Sequence, residues 1–172
     1  MEKIGKRVEK LSLLEKINAA IPGFIRYARR GKRREADRLL RDGISSMLKE
    51  QERNLGSLCE ILAKENKMDL LGLIDTTQKK IARAADKIKY ATYGASGLFD
   101  LSQVGKKELD RLYNFDVGFI EKVEEVKAAV EETKKLEDRP DKEIANQLKE
   151  LNKLVGNLNN LIDSRKEILL EG

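Results

Sequence analysis

Between Ala36 and Leu62 the apolar side chains return at steps of three and four: Ala36, Leu40, Ile44, Met47, Leu48, Leu55, Leu58 and Leu62, with Gln51 on the same line. That spacing draws one stripe along a helix of 3.6 residues per turn and does not fit the two-residue alternation of a strand. The stripe predicts a single helix from Lys32 to Lys64, about 50 Å long at about 1.5 Å per residue. Gly43 and Gly56 lie inside it, each marking either a close helix approach or a kink. A rod with one narrow apolar stripe cannot bury that stripe alone. It requires other rods of similar length.

The rest of the chain supplies them. Glu2 to about Ala20 places Ile4, Val8, Leu11, Leu14, Ile17 and Ile21 on one face, and Pro22 and Gly23 then break the helix. After the polar turn KENKMD, where Asn66 or Asp69 can serve as N-cap, Leu70, Leu73, Ile74, Thr77, Ile81, Ala84, Ala85 and Ile88 define a third segment ending near Tyr90. YGASGLFD, residues 93–100, interrupts the pattern, and Asp100 with Gln103 has the spacing of a capping box for a fourth helix. That helix carries Leu109, Leu112, Tyr113, Phe119, Ile120, Val123, Val126 and Val130, and it stops before EDRPD. The last segment repeats Ile144, Leu148, Leu151, Val155, Leu158, Ile162, Arg165 and Leu169 in nearly a coiled-coil heptad rhythm. Within it NLNNLID crowds Asn157, Asn159 and Asn160 around Leu158 and Leu161.

With 38% charged residues, only 5% aromatics and no Trp, the chain suits amphipathic helices and not a sheet. No period of 30–45 residues marks a solenoid. The expected fold is therefore all-α: an elongated antiparallel bundle of four long helices with an additional N-terminal helix, in one domain over residues 1–172. Residues 1–21 dock on that bundle or serve as a partner-binding arm.

The chain has no His, which removes Ser-His triads, Glu-x-x-His di-iron sites and most zinc sites. Cys59 is alone and falls on the apolar stripe, where a free thiol behaves as a small hydrophobe. No run reaches the roughly 18 apolar residues of a membrane span, and MEKIGKRVEK is not an apolar signal core. A cytoplasmic protein is expected. Pairs such as Glu121 with Glu125 and Glu65 with Asp69 put two carboxylates on one helix face, but in a chain this rich in Glu such pairs arise by chance. No catalytic residue, metal site or cofactor is expected, and hence no enzyme.

Charge is concentrated. Residues 26–41, RYARRGKRREADRLLR, carry eight bases and two acids, a net +6 in a chain of net +5, so the remainder is close to neutral. On a helix from residue 32, Ala36, Leu39 and Leu40 face the core, and Arg34, Arg38 and Arg41 share an exposed face. Arg33 then lies beside Asp37. Arg26, Arg29 and Arg30 approach after the Pro-Gly break, with Phe24, Ile25 and Tyr27 beside them. Four readings apply. The arginines form a solvated helix start, although bases there oppose the helix dipole; they bind nucleic acid through forked contacts to phosphate; they meet an acidic protein; or, with the three apolar neighbours, they meet anionic lipid.

LDRLYNFD, residues 109–116, raises a separate question. Asp116 falls on or near the stripe of Leu109, Leu112 and Phe119, and a buried carboxylate needs a donor. An Arg from the basic segment is one candidate, which would make some of the cations structural. YGASGLFD has neither a P-loop lysine nor dinucleotide-binding glycine spacing. Its small residues suit close backbone passage, and Leu98 and Phe99 either cap the core or form a docking patch.

Taken together, IPG at 21–23, RREADRLLR at 33–41, YGASGLFD at 93–100 and LDRLYNFD at 109–116 resemble the IPG…RREADKLLR, YGxAGxFD and LDxLYEFD blocks of an uncharacterised family of prokaryotic all-helical proteins. Ser96 stands where that pattern has Ala, and Asn114 where it has Glu. The resemblance implies a helical fold over about residues 10–170 and brings no activity or catalytic residue with it.

The expected function is a non-enzymatic scaffold or adaptor that binds another protein. Its contact surface combines Arg26, Arg29, Arg30, Arg33, Arg34 and Arg38 with Phe99 in the adjacent turn. Nucleic acid is the alternative partner of the same arginines, and a second copy of the chain remains open.

Overall fold

The computed structural model describes residues 13–91 and 105–170, and every regular element among them is helical. In chain order these are α1 (13–20), α2 (Phe24–Arg29), α3 (Arg33–Lys64), α4 (Met68–Lys89), α5 (Lys106–Lys134) and α6 (Asp141–Leu170). The four long helices match the four apolar stripes read from the sequence. Ile4, Val8, Leu11, the 93–100 turn with Phe99, and the Asp100–Gln103 box lie outside the described residues.

The long helices form two antiparallel hairpins, α3 with α4 and α5 with α6. The hairpins stand side by side so that α3 also touches α5 and α4 also touches α6. Helices of the same direction are neighbours at those two seams, and α3 stands diagonally from α6. Paired residues fix this arrangement: Thr77 and Lys80 of α4 bond to Asn152 of α6, and Lys87 bonds further along to Asp163. Ile44, Leu48, Leu55, Leu58 and Leu62 meet Ile74, Ile81, Val123, Val126, Leu148, Leu151 and Val155 in one continuous core. Leu39 and Cys59 are half-buried at its edge.

The turns follow from local chemistry. Ile21-Pro22-Gly23-Phe24 is a tight turn closed by Phe24 N–H to Ile21 C=O at 3.2 Å. Pro supplies the second position, and Gly23 at φ 91° the left-handed third. At the end of α3, Asn66 takes φ 60°, with its N–H on Ala63 C=O and Lys67 N–H on Leu62 C=O. Asn66 therefore terminates α3 and is not an N-cap; α4 starts after Lys67 without a side-chain cap. Lys67 Nζ ties this turn to the opposite hairpin, donating to the Glu137 and Arg139 carbonyls and pairing with Glu65 at 3.1 Å.

The N-terminal helix docks on the bundle, burying Leu14, Ile17 and Ile21. Its seat is Gly43, where an added Cβ would run into the Ile21 side chain. Of the two readings for Gly43, close approach holds. Gly56 likewise meets Gln78, whose amide donates to Glu52 C=O at 3.2 Å.

Two substitutions separate packing from propensity. Gly72→Ala, at an exposed helical position with nothing near the added methyl, should stabilise by about 0.5–1 kcal/mol in urea unfolding. Gly43→Ala should forfeit that gain and destabilise by about 1–3 kcal/mol, because Ile21 must move. Adding Ile21→Val to Gly43→Ala should recover part of the loss.

Candidate functional site

Two features share the end of the bundle where α3 and α5 begin and α4 and α6 finish. One is buried and ionic, the other exposed and cationic.

The buried feature centres on Arg165, which sits on the apolar stripe of α6 and is 2% exposed. Its Nε donates to Asp116 Oδ1 at 2.7 Å and its Nη2 to Asp116 Oδ2 at 3.1 Å, a forked pair with α5. Nη2 also donates to Asp37 Oδ1 of α3 at 2.8 Å, across the diagonal of the bundle. Asp37 Oδ2 accepts from Arg41 Nε at 2.8 Å, and Arg41 Nη1 reaches the last carbonyls of α4 at Lys89 O, 2.7 Å away. One connected layer therefore touches all four long helices. Two carboxylates and two guanidinium groups balance within it.

Burial disfavours each charge. It pushes the Asp116 carboxyl well above the usual carboxylate range, and the nearby Asp37 carboxylate adds to that. Burial also lowers Arg165, while the Asp37 charge and hydrogen bond oppose it. Tyr113 stands one helical turn before Asp116, and its phenol is pushed up to about 12. Burial is the main cause; Asp116, Asp110 and Asp37 reinforce it, and Arg33 works the other way. Phe24 of α2 packs edge-on against Tyr113, ring centroids 5.8 Å apart and planes at 82°. With Arg33, Ala36, Asp37, Leu109, Leu112 and Asp116 these rings enclose a cavity of about 10 Å³, room for roughly one water.

The expectation that a buried Asp116 needs a donor holds, but the donor is Arg165 and not an Arg of the basic segment. A cation alone on an apolar stripe was the available signal. Asp37, flanked by Ala36 and three residues before Leu40, was its equivalent on α3. The basic segment contributes Arg41 and the acid Asp37 to this layer. The expected place of Arg41 on the exposed face is thus corrected: it is 16% exposed and turned inward. Asp37 is likewise paired to Arg41 and Arg165.

The exposed feature is what remains of the basic segment. Arg26, Arg29 and Arg30 lie at the solvent-facing side of α2 and its C-cap, with no ion pair to any described residue. Arg38 is exposed and only loosely paired with Asp42 at 3.8 Å. Arg34 is exposed, Arg33 is half-buried beside Tyr113, and both have further interactions within the molecule. The apolar side of α2 faces inward: Phe24 is buried, and Ile25, Tyr27 and Ala28 pack half-buried on the core. Phe24 is therefore not displayed for insertion into a lipid surface, and Ile25 and Tyr27 are partly covered. Tyr90, at the end of α4, is 67% exposed, with Lys89 Nζ 5.8 Å from its ring centroid. Elsewhere, Glu125 pairs with Lys122 and Glu65 with Lys67. Asn159 serves the α4–α6 seam, donating to Lys80 C=O at 3.2 Å, and Asn157 and Asn160 line a shallow surface cleft beside Lys122.

Among the described residues no helix is long and apolar enough to cross a membrane. No family model matches the chain, and neither curated proteins nor solved structures give a match.

Two measurements follow from the ionic layer. Arg165→Met leaves the buried Asp116 without its donor and Asp37 with Arg41 alone, and should cost about 3–5 kcal/mol, whereas replacing Asp37, Asp116 and Arg165 together by apolar residues should cost far less. In an alkaline absorbance titration Tyr113 should ionise near pH 12, and that phase should vanish in Tyr113→Phe. Because the folded phenol holds its proton above the unfolded value of about 10, this group leaves stability unchanged below pH 10. From there its effect is a loss of stability as pH rises towards 12.

Proposed function

We propose that this protein is a non-enzymatic helical scaffold that binds an acidic segment of another protein through the arginines at the α2–α3 corner. The observation that carries the reading is the exposure of Arg26, Arg29 and Arg30 without an ion pair to any described residue. Bases without an acidic partner among the described residues attract an external anion. Phe24 seats their helix on the bundle, so the guanidinium groups project from one short helix and its C-cap. Arg38 extends the surface onto α3. Arg33 and Arg34 stand beside it, with part of their capacity engaged internally. Ala91 and Gly105, which flank the segment containing Phe99, border this same end; the segment itself lies outside the described residues.

One observation favours a second reading. Tyr90 is exposed beside Lys89, and an aromatic face among cations suits stacking of a single-stranded base. Nucleic acid is the alternative partner for that reason.

A titration separates them. Labelled poly-L-glutamate, random RNA and duplex DNA are each added at about 50 and 200 mM salt, where several phosphate contacts would weaken binding by orders of magnitude. Binding to poly-L-glutamate that disappears in an Arg26→Gln/Arg29→Gln/Arg30→Gln variant supports the adaptor. Strongly salt-dependent RNA binding that falls in Tyr90→Ala supports the alternative. No binding to any of the three contradicts both.

A further inference from the structure

The arginines are carried by the least self-sufficient element of the fold. At six residues α2 is far too short to stay helical alone. It has no side chain of its own at the N-cap and no acid in its first turn. Its borders are two glycines in the left-handed region, Gly23 at φ 91° and Gly31 at φ 70°. Gly31 closes the C-terminus, with its N–H on Ala28 C=O and Lys32 N–H on Tyr27 C=O.

What holds α2 down is a small set of contacts. Phe24 fills the seat against Tyr113, and Asn18 Oδ1 accepts from Ile25 N–H at 3.1 Å, pinning the helix start to α1. Ile25, Tyr27 and Ala28 add half-buried contacts. The same Phe24 lines the cavity above Asp37 and Asp116, so α2 lies as a strap over the ionic layer. Its inner side carries the anchor and its outer side carries Arg26 and Arg29, with Arg30 at its end.

We infer that α2 is a coupled strap: seating of Phe24 in the bundle and binding of an anionic partner by Arg26, Arg29 and Arg30 stabilise each other. This rests on the adaptor reading and adds to it. With Phe24 seated, the three guanidinium groups are held by one helix. With Phe24 out, six residues between two glycines lose their helix, and a partner must order them as it binds. Linkage requires the converse to the same degree: an anion bound across α2 opposes unseating of Phe24.

The test uses the full chain, poly-L-glutamate as the acidic probe, and amide exchange read by mass spectrometry. In the parent, the probe should slow exchange across residues 24–32 and leave the centres of α3–α6 unchanged. Phe24→Ala removes no charge, yet it should weaken probe binding by about tenfold, within the usual range of such coupling, and speed exchange of α2. Gly31→Ala provides a second route that leaves the core intact, since its Cβ meets no atom within 4 Å and only the left-handed backbone is strained. It should weaken binding in the same direction. Retained helicity by circular dichroism identifies the variants that have kept the bundle. If Phe24→Ala and Gly31→Ala bind the probe like the parent while the triple Arg→Gln variant loses it, the coupling is overturned and the adaptor reading stands. If the parent itself does not bind the probe, both are overturned.

Discussion

Arg165 is the side chain on which the upper end of this bundle depends. A guanidinium placed in an apolar interior carries a desolvation cost that only well-formed hydrogen bonds to charged acceptors can offset. The fold provides them from α5 and from α3, across the diagonal, and Asp37 passes the contact on to Arg41 and the end of α4. Apolar stripes alone tolerate sliding and rotation of neighbouring helices. A forked ion pair does not, because a shift of one turn would leave Asp116 buried without its donor and take Arg165 from Asp37. The layer thus ties four rods into one register and one choice of neighbours.

Other polar contacts divide that task. Along the α4–α6 seam, Thr77, Asn152, Lys80 and Asn159 form a ladder that keeps two helices of the same direction aligned. At the far end Lys67 gathers carbonyls from the α5–α6 turn, holding the two hairpin ends together. Between these fixed points the core is mainly aliphatic, with Phe119, Ser45 and Gln51 buried within it. The short α2 is outside this scheme. Its single large anchor, Phe24, places a short element directly over the most tightly specified layer.

The long helices were legible because periodicity is carried by many residues at once, so Gln51 or Thr77 on a stripe did not obscure it. Asp116 was also legible as a problem, since an acid between Leu112 and Phe119 has to be satisfied. Its solution was not. Arg165 lies 49 residues away on another helix; its place on an apolar stripe marks an inward cation, but the spacing does not say which acid it meets. The denser cluster of arginines at 26–41 was the candidate donor instead. That cluster proved to be heterogeneous: Arg41 is structural, Arg33 is half-buried, and Arg26, Arg29 and Arg30 face solvent. The helix at 24–29 was not legible either, because its helicity comes from the Phe24 seat and from flanking glycines more than from its own sequence.

The most direct measurement is a double-mutant cycle between Asp37→Asn and Asp116→Asn, residues on different helices that meet through Arg165. If one guanidinium organises both, their effects on unfolding free energy should be non-additive by about 1–3 kcal/mol. That coupling should shrink to the direct repulsion between the two carboxylates when the cycle is repeated in an Arg165→Met background. Additivity within about 0.5 kcal/mol in the parent would show that the two carboxylates are held independently. Arg165 would then not be the link that joins the helices.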